Sequence, residues 1–180
     1  MTGLHRTAGP GTERMIHVIQ GSQEVTADPH VVLTTILGSC VSTCMWDPVA
    51  RVGGMNHFLL AHEPERGRSS DRYGTFAMEL LINDLLKLGA SRGRLKAKLF
   101  GGAMMDGHFG RIGRSNAAFA TTFLAAEDIP VIAESLGGTQ ARRIRFVPVT
   151  GFAQQRLVPE HEAPPPTPTP VLPADDITFF

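Results

Sequence analysis

Cysteine is scarce in this chain: two residues, Cys40 and Cys44, among 180. That excludes a disulfide framework, and with no second clustered pair of ligands it speaks against a structural metal site. No stretch approaches the roughly twenty apolar residues that cross a bilayer, and Met1 to Arg14 is polar and Gly-rich, without the apolar centre of a signal peptide. Net charge is missing as well. Seventeen basic side chains balance seventeen acidic ones, so there is no overall field to draw nucleic acid or an anionic membrane surface. The densest basic stretch, Arg142-Arg143-Ile144-Arg145, is interleaved with apolar residues and reads as the solvated face of a strand. Histidines fall at no metal-ligand spacing, carboxylates at no paired spacing for acid–base hydrolysis, and no repeat period is present.

What is there reads as one layered α/β or α+β domain, rich in strands with two helices interspersed. Residues 1–13 are expected to be a flexible lead, 14–158 the folded domain, and 159–180 a Pro-rich tail. In that tail Ala163-Pro164-Pro165-Pro166-Thr167-Pro168-Thr169-Pro170 cannot join a ladder and favours extended polyproline conformations. Strands are expected at Met15 to Ile19, Val31 to Ile36, Cys40 to Trp46, Val52 to Leu60, Leu95 to Phe100, Val131 to Leu136, Arg142 to Val149 and Phe152 to Val158. Ala77, Leu81, Leu85 and Leu88, widened by Met78 and Ile82, recur at helical spacing. Ser70 or Asp71 offers this helix a cap and Gly89 a stop. A second helix fits 113–127, with Phe119, Ala120, Phe123 and Leu124 inward. The polar loop 61–71 and the Gly-flanked stretch Met105-Asp106-Gly107-His108-Phe109-Gly110 connect these elements, the latter as a mobile loop that could cover a pocket.

The candidate chemistry sits at Thr34-Thr35-Ile36-Leu37-Gly38-Ser39-Cys40 and, seventeen residues on, at His57 in Gly53-Gly54-Met55-Asn56-His57. A thiol near neutral pH needs a base within hydrogen-bond reach to become a nucleophile. Adjacent antiparallel strands joined by an Asp47-Pro48 turn would bring His57 to Cys40. The Gly38-Ser39 turn lets the main chain approach a substrate, so an N–H near Cys40 can stabilise an oxyanion. Asn56 points to the other strand face from His57. Thr34 and Thr35 also lie on opposite faces, so one of them at most faces the site. By spacing alone a buried structural thiol with a core histidine is the plainer reading of the pair, and Cys40–Cys44 is compatible with a redox pair but lacks the tighter Cys-x-x-Cys form.

The ordered set Leu37-Gly38-Ser39-Cys40-Val41, Asp47-Pro48, Gly53-Gly54-Met55-Asn56-His57, Arg72-Tyr73-Gly74, Ala77-Met78-Glu79-Leu80-Leu81, Lys98-Leu99-Phe100-Gly101-Gly102-Ala103, Ile112-Gly113-Arg114-Ser115-Asn116 and Leu136-Gly137-Gly138 resembles the CheD family of chemoreceptor glutamine deamidases. The resemblance spans about residues 15–158. It implies β-sheets packed together with helices on the outside, similar to the catalytic domain of glutamine-deamidating toxins. It implies a Cys-His-Thr site with Cys40 as nucleophile, His57 as base and Thr34 as third member, with Gly38 and Ser39 shaping the turn. No metal or organic cofactor is implied. The partners would be the cytoplasmic domains of chemoreceptors and, in the family, a CheC-type phosphatase. The location would be cytoplasmic, with no membrane insertion and no nucleic acid. Rival readings of the same thiol are a peptide or isopeptide hydrolase, a transglutaminase, a non-catalytic adaptor and a redox sensor.

Overall fold

A computed structural model describes residues 13–60, 67–104 and 109–159. The lead, the Pro-rich tail, most of the polar loop after Leu60, and Asp106 and His108 lie outside the described residues.

Among the described residues, nine strands and two helices follow in the order β1 (Arg14–His17), β2 (Ser22–Thr26), β3 (Val31–Leu37), β4 (Val41–Asp47), β5 (Val52–His57), α1 (Gly67–Lys87), β6 (Lys96–Gly101), α2 (Phe109–Ala126), β7 (Val131–Leu136), β8 (Arg142–Val147) and β9 (Phe152–Leu157). They build two sheets, one ordered β1-β3-β8-β9 and the other β2-β5-β4-β6-β7. The expected α+β layering is therefore observed, with the sheets face to face and both helices on the outer side of the second.

Two hydrophobic layers hold this arrangement. Between the sheets, Leu33, Leu37, Ile144 and Phe146 of the first meet Cys44, Trp46, Met55 and Phe100 of the second. On the outer face of the second sheet, Val41, Met45, Val52 and Phe58 pack under Met78, Leu81, Ile82 and Leu85 of α1 and Ala120 and Leu124 of α2. β4 and β5 are covered on both faces, and every one of their residues is buried. The helical stripe agrees with its expected spacing except at Leu88, which is exposed. The chain leaves α1 at Gly89, in the left-handed region at φ +99°, where the Ala90 N–H reaches back to the Leu85 carbonyl. α1 begins at Gly67, a turn ahead of the Ser70 or Asp71 cap expected.

The strand junctions follow from their connections. β4 and β5 form the anticipated antiparallel hairpin, with Cys44 opposite Met55 and Asp47 opposite Val52. A single bridge between Val41 and Phe58 extends it beyond the named strands. β6 and β7 run parallel, as they must when α2 carries the chain back to the same end. Two expectations are corrected. Ser22 to Thr26 forms a strand that the sequence did not announce, because Val25 is the one large apolar residue in it. Arg142 is not on a solvated face: it alternates inward with Ile144 and Phe146, and its guanidinium donates to the carbonyls of Ser135 and Gly137.

Candidate active site

The chain crosses from the first sheet to the second through Gly38, Ser39 and Cys40, and the crossing is pinned one carbonyl at a time. The Gly38 carbonyl accepts from Ala103 N–H at 2.8 Å, and the Cys40 carbonyl from Gly102 N–H at 2.8 Å. The Ser39 carbonyl accepts from Asn116 Nδ2, also at 2.8 Å, while Asn116 Oδ1 accepts from Leu60 N–H. Asn116 is fully buried, so one amide ties the turn to the end of the β5 segment. Gly101 sits at φ +111°, and a Cβ there would stand 2.1 Å from the Cys40 carbonyl oxygen. No other residue lets the two backbones come so close.

Cys40 is held at the rim of this crossing, partly buried, with Sγ donating to Gln20 Oε1 at 3.3 Å. Burial pushes the thiol up to about 12, with its own main-chain N–H working in the opposite direction. The resting sulfur is therefore protonated. Cys44, its candidate redox partner, is also free and sits wholly inside the layer between the sheets.

His57 ends β5 on the same face as Met55, looking into the space between the sheets, and is 7% exposed. Its Nδ1 lies 2.9 Å from Thr35 Oγ1 and 3.3 Å from the Val18 carbonyl. Thr35 already donates its hydroxyl hydrogen to that same carbonyl at 2.7 Å. Both neighbours of Nδ1 thus offer lone pairs, so the ring proton belongs on Nδ1 and the lone pair on Nε2. Nε2 is buried and, among the described residues, has no hydrogen-bond partner. Burial lowers the pKa of His57, against a smaller upward pull from the Val18 carbonyl, so the ring is neutral and ready to accept a proton.

The threonine pair divides as strand alternation requires. Thr35 shares its face with Leu33 and Leu37, which line the layer between the sheets. Thr34 faces the other way along the ladder, its Oγ1 donating to the Ile144 carbonyl of β8 at 2.7 Å. Of the two threonines it is Thr35 whose hydroxyl lies against His57 Nδ1, while Thr34, the expected third member, is turned away toward β8. Asn56, on the face opposite His57, accepts from Thr43 N–H and lies against Met78. Tyr73 of α1 also borders the site. Its hydroxyl is pushed up by burial and further by the negative charge Cys40 would carry.

Gln20 and Asn116 are the site residues that residue type did not reveal. Glutamine and asparagine carry no titratable group, and their partners, Cys40 and Ser39, are 20 and 77 residues away in sequence. His17 and His30 are exposed and take no part. Among the described residues no three His, Cys, Asp or Glu side chains gather as a metal site would require, and no helix is long and apolar enough to cross a membrane.

A family model described as CheD chemotactic sensory transduction matches residues 59–156. The chain belongs to the CheD family. A CheD protein of Caulobacter vibrioides (strain NA1000 / CB15N), named "Probable chemoreceptor glutamine deamidase CheD", is 48% identical over 188 residues, covering 100% of both chains. CheD proteins of the same name from Acidiphilium cryptum (strain JF-5) and Rhizobium leguminosarum bv. trifolii (strain WSM2304) are 56% and 54% identical. The first alignment covers 84% of this chain and 82% of the relative, the second 81% and 80%. The family-model match begins just past His57, whereas the Caulobacter CheD aligns over the whole chain, Cys40 and His57 included. Among solved structures, protein NMB0706 of Neisseria meningitidis is similar at a TM-score of 0.45 and 11% identity, over 72% of this chain and 64% of its own.

Proposed function

We propose that the folded unit, residues 14–158, hydrolyses the side-chain amide of glutamines in the cytoplasmic segments of chemoreceptors, with Cys40 as nucleophile, His57 as base and Thr35 holding the base. The observation that carries this reading is the fixed state of His57. Its Nδ1–H is committed to Thr35 and Val18, which leaves, among the described residues, a buried Nε2 lone pair without a partner. A structural histidine would have both nitrogens satisfied.

The resting pair is a neutral thiol with a neutral imidazole, because burial disfavours both charged forms. Proton transfer therefore accompanies attack. The sulfur bonds to the carboxamide carbon, its proton passes to Nε2, and the carbonyl electron pair moves to oxygen. Collapse of that oxyanion expels the amide nitrogen, which takes the proton from His57 and leaves as ammonia. Water then adds to the thioester with His57 accepting its proton, and the sulfur departs and is reprotonated. The product is a glutamate side chain, the backbone is intact, and the enzyme is regenerated. No cofactor enters this balance.

Incubation with a receptor cytoplasmic fragment, followed by peptide mass mapping, tests the reading. Each converted glutamine gains about one dalton, as amide-to-acid exchange requires, in the wild type and not in Cys40→Ala or His57→Ala. Backbone cleavage or a glutamine–lysine crosslink would identify the rival thiol chemistries. Conversion persisting without Cys40 would overturn the mechanism.

A further inference from the structure

Gln20 is placed with unusual care for a polar residue on a turn. Ile19, Gln20, Gly21 and Ser22 form a tight reversal in which Ser22 N–H and Oγ both donate to the Ile19 carbonyl, at 3.1 and 2.7 Å. Gly21 supplies the left-handed corner at φ +81°, the geometry of a turn that requires positive φ at its third position. The Gly21 N–H donates to the main-chain carbonyl of His57 at 2.7 Å. The turn is thus fastened to the base itself, and from it the Gln20 side chain reaches the nucleophile, accepting from Cys40 Sγ. Among the described residues the amide nitrogen of Gln20 has no partner. A primary amide offers an acceptor and a donor from one terminus on separate atoms, which an aliphatic or ionised carboxylate side chain of similar length does not.

We infer that Gln20 supplies a side-chain N–H to the oxyanion that forms when Cys40 attacks a carbonyl. In the resting enzyme its Oε1 receives the S–H. When the proton leaves for His57 the acceptor is no longer needed, and rotation about the terminal bond turns the NH2 group to the same place. There it donates to the carbonyl oxygen as that oxygen takes up the electron pair, alongside the Cys40 main-chain N–H. The contact is made again when water attacks the thioester. Gln20 gains and loses no atoms over the cycle. This assignment rests on the thiol reading of the site.

Two reagents separate the oxyanion role from simple support of the thiol. Acylation by p-nitrophenyl acetate forms an S–C bond through a tetrahedral oxyanion and releases nitrophenolate. Alkylation by iodoacetamide displaces iodide at a saturated carbon and forms no oxyanion. Using the full chain, with labelling mapped to Cys40, Gln20→Met is expected to slow acylation about tenfold to a hundredfold and to leave alkylation within about twofold, the loss expected of one oxyanion donor. Gln20→Ala repeats the comparison as a second variant, and circular dichroism checks that both fold. A parallel fall in both rates, or an unchanged acylation rate, would overturn the assignment. Deamidation of the receptor fragment is followed alongside. A split in the two rates with no deamidation by the wild type removes the proposed substrate and keeps the oxyanion role of Gln20. Active wild type with no split does the reverse.

Discussion

At the scale of single residues, the decisive detail is which threonine meets the base. Thr35→Val keeps the shape of the side chain but removes the lone pair that receives His57 Nδ1–H. Turnover is expected to fall by about tenfold to a hundredfold as the ring loses its fixed tautomer. Thr34→Val removes a buried bond to the Ile144 carbonyl and is expected to cost about 1 kcal/mol of stability with little change in turnover. Steady-state deamidation and urea unfolding of the two variants check this, and a turnover loss in Thr34→Val alone would reverse the assignment. Cys40, His57 and the Gly38-Ser39 turn were singled out in the sequence because they stand in a distinctive order of motifs. The threonine was not, because Val31 to Leu37 is apolar on both faces and alternation alone does not say which face is inner. Gln20 and Asn116 stayed hidden because they act through geometry assembled from distant parts of the chain.

At the scale of elements, the site depends on how α2 and the end of β6 grip the Gly38–Cys40 crossing. Asn116→Ala would strip the Leu60 N–H and the Ser39 carbonyl of their partner in a fully buried position. A cost of about 2 kcal/mol is expected from two such losses, and kcat should fall further than stability explains, because the turn presenting Cys40 loses its anchor. Chemical denaturation and turnover measured on the same preparation test this; a variant as active as the wild type would refute the anchoring role. Most elements were readable from period-two and helical patterning. β2 was not, since Ser22 and Gln23 carry no apolar signal and it is a strand by virtue of pairing along β5. Arg142 was misassigned for the converse reason: a buried arginine looks like a solvated one until the carbonyls that receive it are known.

At the scale of the whole molecule, one carboxylate joins regions far apart in sequence. Asp47, fully buried, accepts from Val49, Ala50 and Ser91 N–H and from the Arg94 guanidinium. Burial alone would raise its pKa, but the guanidinium and the N–H donors outweigh it and hold the carboxyl far below the usual range. A depressed carboxyl contributes stability that is complete above its unfolded value, near 4, and is lost as pH falls below it. Asp47→Asn is expected to lower Tm at neutral pH and to flatten its decline into acid. Thermal melts of both proteins from neutral pH into acid check this, and parallel curves would refute it. The position of the crossing has a further consequence, for synthesis. β3, which carries Thr35 and leads to Cys40, takes its antiparallel partner from β8, and the Thr34–Ile144 bond spans 110 residues. A growing chain therefore holds Cys40 and His57 long before the first sheet has the strand that steadies them. The strand that leads to Cys40 gains its antiparallel partner only when β8 has emerged, so a truncated or stalled product holds Cys40 beside an unpaired edge of the first sheet.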